Sequence, residues 1–302
     1  MTLADNIKAH HFVVTAEVGP PKGTNVDACL EEAELLRGLV DALNVTDLQS
    51  SVMRLGSLAM CHLLASRGIE PVYQLTCRDR NRLALQSDLL SAHTLGIRNV
   101  LALTGDHPLL GDHPGAKPVF DLDSVSLLSA ASQLMQGHDM TGHDLDGSPD
   151  FLLGAVVNPG SDPVELQLMK MEKKVAAGAR FFQTQAVFDL DRFAAFMQRS
   201  NRIGMPVLGG VLLLKSAGMA RFLNQNIAGI SVPDRYITML ADAPREERPA
   251  VSVAIARELA VGIRDLCQGV HIMPLGWAHL VPQLLRDAGL TPEKRDASSP
   301  AP

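Results

Sequence analysis

Eight short apolar runs recur along nearly the whole chain: HFVVTAEV, ALNVTDL, PVYQLTC, NVLALTGD, FLLGAVVN, FFQTQAV, PVLGGVLLL and GVHIMPLG. They begin near residues 12, 43, 71, 99, 151, 181, 206 and 270, so most steps are about 25–31 residues, the length of one strand with its crossover helix. Two steps are longer and carry extra segments, Gly105 to Asp123 with Gly137 to Asp150, and Val232 to Arg248. Between the runs the apolar period changes from strand-like to helical. After Asn158, a cap at Asp162 and Pro163 in the first turn lead into a stripe of Val164, Leu168, Met171 and Val175, and Gly178 closes the segment. Val26, Leu30, Ala33, Leu36 and Val40 repeat the pattern after the first run, with Thr24 and Asn25 as candidate caps. Eight such units, with strands apolar enough to be covered on both faces, predict an α/β fold: a single-domain (β/α)8 TIM barrel over residues 1–290, followed by a disordered tail over 291–302. A doubly wound sheet should carry a glycine-rich fingerprint, and neither GPPKG nor TGDHP is one.

Composition narrows the function. A net charge of −6 with scattered Lys and Arg offers no basic stripe, and aromatic residues are only 4% of the chain, which argues against nucleic acid. No long apolar run or signal-like N-terminus is present, so a cytoplasmic protein without a membrane span is expected. Cys29, Cys61, Cys77 and Cys267 form no CxxC and sit in apolar patterns, as buried thiols do.

In a barrel of this kind the active site forms at the C-terminal strand ends. The polar residues there are Glu17; Thr46, Asp47 and Gln49; Gln74 and Thr76; Thr104 and Asp106; Asn158; Gln185; and Lys215 with Ser216. Two carboxylates, Glu17 and Asp106, each follow an apolar strand. A carboxylic acid in a dehydrated mouth keeps its proton near neutrality, while a better solvated one stays charged, which divides an acid role from an electrostatic one. For either acid alone, helix capping or pairing with a lysine is the competing reading.

The segments TAEVGPPKG, NVTDLQ, QLTC, LALTGDHP, MEKKVAAGARFFQTQAVFD and GGVLLLKS, in this order and spacing, resemble the flavin-dependent methylenetetrahydrofolate reductase family from about residue 12 to residue 276. The resemblance implies a barrel that holds a flavin, usually FAD, at its mouth, reduces 5,10-methylenetetrahydrofolate to 5-methyltetrahydrofolate or runs the reverse, and assembles as a homo-oligomer. Glu17 matches the acid that opens the methylene bridge, and Asp106 the aspartate beside flavin and pterin. Gln185, with Gln49 beside it, falls to the substrate. Thr46, Gln74, Thr76, Thr104, Gly105, Phe120, Asn158 and Lys174 fall to the cofactor, together with Asp106. A glutamate with a retained proton suits the protonation of a departing amine, worth about 10²–10⁴-fold.

Several positions depart from the familiar bacterial pattern. Gln74 stands where histidine is usual, Thr104 where arginine is, and Phe120 where tyrosine is, which redistributes cofactor anchoring and leaves FMN open beside FAD. Ala217 and Gly218 stand where the family has an aromatic that stacks on substrate and nicotinamide, which leaves NADH and NADPH open as donors. These departures resemble variants of anaerobic one-carbon pathways. The alternatives are therefore a flavin-carrying subunit served by an electron-transfer partner, or a flavin-free pterin methyltransferase barrel. Trp277 either stacks on a ligand or packs below the rim. His107, His113, His138, His143, Asp139, Asp144 and Asp146 lie in loops whose spacings fit no metal motif; a solvated loop or a lid is the expectation, with no metal.

Overall fold

Strands that are apolar on both faces must be covered on both, and the chain meets that demand by closing its sheet. The computed structural model describes residues 1–292. The strands are β1 (Val13–Val18), β2 (Ala42–Val45), β3 (Pro71–Thr76), β4 (Asn99–Leu103), β5 (Leu152–Val157), β6 (Phe181–Ala186), β7 (Val207–Leu212) and β8 (Gly269–Met273). All pair in parallel in sequence order, and β8 returns to β1 to close the barrel. The helices are α1 (Leu3–Lys8), α2 (Asp27–Leu36), α3 (Ser57–Ala65), α4 (Arg82–Thr94), α5 (Ser124–Met135), α6 (Val164–Ala176), α7 (Leu190–Ser200), α8 (Ala217–Asn226), α9 (Asp234–Asp242), α10 (Arg248–Arg264) and α11 (Val281–Ala288). This is the single-domain (β/α)8 barrel expected, and all but the first two residues of the expected tail lie outside the described residues.

Each helix buries one stripe against the strands. In α6 the stripe is Leu168, Met171 and Lys174, with Val164 and Val175 partly covered beside it. The start of α6 differs from expectation: Pro163 is its N-cap residue and no side chain caps it, so Asp162 does not do so. Gly178 follows the end of α6 with φ of +119°, a conformation that suits glycine. At α2 the N-cap residue is Val26 and no side chain caps it, so neither Thr24 nor Asn25 is the cap expected; Asn25 Oδ1 accepts from the Asp27 amide at 3.0 Å from one residue outside.

Two elements were not anticipated. Helix α1, closed by a reciprocal Thr2–Asp5 capping box, sets Leu3 and Ile7 against Val13, Ala42, Val72, Leu101, Phe181 and Leu208 and so plugs the N-terminal end of the barrel. The amide of Leu3 donates to both carboxyl oxygens of Glu70, which also accepts from Asn99. Helix α9 fills part of the long step before β8 and packs Tyr236, Ile237 and Leu240 into a second apolar cluster with residues of β7, α8 and α10.

The inside of the barrel therefore changes character along its axis. It is apolar at the plugged end, and it turns polar two residues further along several strands, at Thr15, Asn44, Gln183 and His271, all of which are buried. Two residues beyond Thr15 stands Glu17, where the chain reaches the mouth.

Candidate active site

Glu17 lies on the inner face of β1 with its side chain 12% exposed. Its Oε1 accepts from Gln74 Nε2 on β3 and lies the same 3.4 Å from His271 Nε2 on β8. Behind it runs a buried chain of polar groups. His271 Nδ1 is 2.9 Å from Thr15 Oγ1, Gln183 Nε2 donates to Thr15 Oγ1 at 3.2 Å, and Gln183 and Asn44 exchange two amide hydrogen bonds of 2.8 and 3.1 Å. Sequence reading missed His271, Thr15, Asn44 and Gln183. The available signal was polarity at every second position of otherwise apolar strands, in VTAE, ALNV, FFQTQ and GVHIM.

At the end of β2, Asp47 is buried and fully engaged. It accepts from Thr76 N at 3.0 Å, Thr76 Oγ1 at 2.8 Å, Ser57 Oγ at 3.2 Å and Arg80 at 2.8 Å. The hydroxyl of Thr76 is thus committed to Asp47. Its neighbour Thr46 differs: the residue is 2% exposed and its Oγ1 has no hydrogen-bond partner among the described residues. A buried hydroxyl without a partner marks a position that a polar ligand can satisfy.

The loops after β2 and β4 meet over this side of the mouth. Ser51 Oγ donates to the carbonyl of Asp106 at 3.0 Å, and buried Arg78 donates to Ser51 Oγ at 3.1 Å and to the carbonyl of Leu48. Lys22 pairs with Asp112, whose other oxygen accepts from the amide of Met53. Leu48, Ser50, Ser51 and Phe120 all have positive φ, a conformation uncommon in non-glycine residues that these ties hold in place. Arg78 is a further residue that sequence reading passed over. Gly105 has φ of +91°, and a β-carbon there would come within 3.1 Å of Thr76 and 3.2 Å of Arg78, so this close approach requires glycine.

Asp106 and Gln49 are exposed on these loops, and no hydrogen bond to the Asp106 carboxylate is formed among the described residues. Thr104, also exposed, exchanges hydrogen bonds with Ser124 at the start of α5. Phe120 stacks on His107 with ring centroids 6.3 Å apart. Gln185 is exposed at the end of β6, where the pairing with β7 shifts register and Thr184 Oγ1 accepts from the Gly210 amide. Such bulges re-aim side chains beside active sites. Asn158 is occupied otherwise: its amide donates to Ala228 O at 2.8 Å and accepts from Gly160 N, tying the β5–α6 loop to the segment between α8 and α9.

Lys174 reaches from α6 to the end of β5, where Nζ donates to Val156 O at 2.7 Å. It is 8% exposed and makes no ion pair among the described residues. Burial, with repulsion from Lys170, pulls its pKa down to about 8. Trp277 is half-buried against the core, and Lys215 Nζ lies 5.5 Å from its ring centroid, so packing is its first role. The four cysteines are free, and burial raises the thiols of Cys77 and Cys267 to about 12 and about 11, which leaves them unreactive near neutrality.

An apolar recess of about 820 Å3 opens at the other end of the barrel, beside α1, Pro71, Phe151 and Pro206. Its arginines, Arg98 and Arg180, donate to carbonyls at the ends of the preceding helices. It lies away from the strand ends that carry chemistry in this architecture.

Known proteins share the sequence pattern and the fold of this chain. The family model described as methylenetetrahydrofolate reductase matches residues 2–289. The 5,10-methylenetetrahydrofolate reductase of Pectobacterium carotovorum is 26% identical over 75% of this chain and 72% of its own length, and that of Escherichia coli 25% over 74% and 72%. A probable methylenetetrahydrofolate reductase (NADPH) of Caenorhabditis elegans is 22% identical over 83% of this chain, which spans only 36% of that protein. Among solved structures, a Clostridium thermocellum protein that binds two copies of 5-methyl-5,6,7,8-tetrahydrofolic acid superposes with a TM-score of 0.59 at 16% identity, covering 95% of this chain and 97% of that one. A 2,3-dimethylmalate lyase superposes with a TM-score of 0.53 at 12% identity over 99% and 89%, so at this level the likeness is one of fold. The family match over nearly the whole described chain decides the matter: the protein belongs to the methylenetetrahydrofolate reductase family of oxidoreductases.

Proposed function

We propose that the protein interconverts 5,10-methylenetetrahydrofolate and 5-methyltetrahydrofolate at the barrel mouth, with a bound flavin. The observation that carries this reading is Glu17, an acid on the inner barrel face at the mouth, held between Gln74 and His271. The residues present fit a flavin. Among the described residues, Thr46 offers a buried hydroxyl without a hydrogen-bond partner, and Lys174 a buried ammonium without an ion pair, ready to face an anionic group. Thr76, Thr104 and Asn158 act beneath such a cofactor, by fixing the strand ends and loops around it. When bound, a flavin supplies or accepts the electron pair.

The chain's own residues do the rest. Glu17 gives a proton to the departing nitrogen of the methylene bridge, so that the bridge opens to a cationic iminium, and takes the proton back in the reverse direction. Asp106, exposed on the β4–α5 loop, places negative charge at the mouth and favours that cation over the neutral ring. Gln185, free at the end of β6, is available to orient the pterin or its tail. The resemblance favours FAD over FMN.

A second reading concerns the electron donor. Ala217 is buried, Gly218 has no side chain, and α8 thus begins without an aromatic that a nicotinamide ring needs for stacking. This favours electrons delivered by a partner protein over NADH or NADPH.

Glu17→Gln tests the assignment. It keeps the shape of the side chain and its contacts with Gln74 and His271 but removes the transferable proton. Folate turnover should fall at least about 10²-fold with flavin still bound. Turnover equal to that of the parent would overturn the role of Glu17.

A further inference from the structure

The recess at the N-terminal end of the barrel takes no part in the chemistry of the mouth, yet it has the make-up of a ligand cavity. Its volume of about 820 Å3 is that of a small-molecule site, and Ile7 of α1, Pro71, Phe151, Met205 and Pro206 give it largely apolar walls. The wall formed by α1 is fixed in place, because the amide of Leu3 donates to both carboxyl oxygens of Glu70 at 3.0 and 3.1 Å.

Two arginines stand at the rim and are built alike. Arg98 is the residue before β4 and Arg180 the residue before β6, so one lies on each side of β5. Each spends Nη1 on the carbonyl five residues earlier and on that of the preceding residue. Arg98 donates to His93 O at 2.8 Å and Ile97 O at 3.0 Å, and Arg180 to Val175 O at 3.5 Å and Ala179 O at 3.0 Å. Serving the carbonyls at the ends of α4 and α6 needs only that one nitrogen. Nε and Nη2 of both side chains have no hydrogen bond, and neither arginine has an ion pair, among the described residues.

A guanidinium tethered at one nitrogen and open at the others presents a fork of fixed direction, the geometry that a carboxylate matches. Strands two apart in a sheet are separated by about 10 Å, a gap that two arginine side chains can close from either side of one anionic group. The charges at the rim also favour an anion. Lys8, Arg98 and Arg180 stand against Asp150, while the Glu70 carboxylate is engaged by the Leu3 amide and by Asn99 Nδ2.

We propose that this recess binds a small amphipathic carboxylate, its apolar body against Phe151, Met205 and Pro206 and its carboxylate between Arg98 and Arg180. The site is separate from the mouth and depends on neither Glu17 nor a flavin. Only the folded barrel contains the recess, so occupancy stabilises the fold by linkage. Turnover at the opposite end is left unchanged.

Octanoate is the probe and octanamide its uncharged counterpart, each titrated calorimetrically into the purified protein. Octanoate should bind at one site per chain with a Kd on the order of 100 µM, ordinary for a ligand of about ten heavy atoms, and should raise Tm. Octanamide should bind at least about tenfold more weakly, since it forgoes the charge-assisted pairing. Arg98→Gln combined with Arg180→Gln changes two exposed side chains and should bring octanoate down to the affinity of octanamide. No saturable binding at ten times the expected Kd, equal affinity for the two probes, or a double variant that keeps the preference for octanoate would each overturn the proposal. If the double variant does not fold, a crystal structure of the parent with octanoate decides: the probe in the recess with its carboxylate on the two arginines supports the site, and the probe anywhere else overturns it. Displacement of octanoate by 5-methyltetrahydrofolate would put the probe at the mouth and likewise overturn the proposal. The activity of Glu17→Gln has no bearing on any of these results, so the failure of one reading leaves the other standing.

Discussion

Two buried ionisable side chains meet different fates in this barrel. Glu17 has the Gln74 amide and the His271 imidazole beside it, while Lys174 has one backbone carbonyl, no ion pair among the described residues, and only the smaller opposing attraction of Asp123. The depression of the Lys174 pKa from 10.5 to about 8 corresponds to about 3 kcal/mol of unfavourable burial of its charge at neutral pH. The bond to Val156 O offsets about 1 kcal/mol of that. Between pH 8 and 10.5 the unfolded chain holds a proton that the folded chain has released, so the contribution of this group to stability rises with pH through that window. Lys174→Met should therefore stabilise the flavin-free protein by about 1–2 kcal/mol at pH 7 and weaken flavin retention, with the gain in stability gone by about pH 10.5. Melting curves at pH 7 and pH 10.5 measure this; a gain that does not change with pH contradicts the assignment. Glu17, Asp106 and Gln185 were legible as strand-end polar residues, but the commitment of Thr76 to Asp47 and of Asn158 to Ala228 was not, because a spacing does not say which partner claims a side chain first.

Among the elements, the long amphipathic helices were legible from their stripes, α6 most clearly, because its apolar residues repeat over 13 residues. Its start was misplaced by one cap, since Pro163 rather than Asp162 occupies the boundary. Helix α1 was invisible to the same reasoning, for its six residues are too few to show a period. Its importance comes from where the closed barrel places Leu3, fully buried among the inward residues of the strands. Leu3→Ala should cost about 2–4 kcal/mol, the usual range for a cavity left in a core, while folate turnover well below the melting temperature stays unchanged because the plug and the mouth lie at opposite ends. Denaturant unfolding together with a turnover assay measures both; an equal loss of activity and stability would mean that plug and site are coupled.

For the whole molecule, the repeat of strand and helix made the barrel legible, and barrel architecture then said where to look for the site. What it could not supply was the inner polar chain, since Thr15 and His271 are 256 residues apart in sequence and meet only when β8 pairs with β1. Closure is thus a folding solution and also the step that assembles the surroundings of Glu17. The loops after β2 and β4 add a second assembly, held by Arg78 and by the Lys22–Asp112 pair, that borders the mouth on one side. The central claim is that this assembled mouth moves electrons between a bound flavin and folate with Glu17 as the proton donor. It is tested most directly by the anaerobic visible spectrum of the purified protein on addition of 5-methyltetrahydrofolate, beside the same titration of Glu17→Gln. The parent should be yellow and bleach, while Glu17→Gln should be equally yellow and keep its colour; a colourless parent, or a flavin band that 5-methyltetrahydrofolate leaves untouched, would contradict the account.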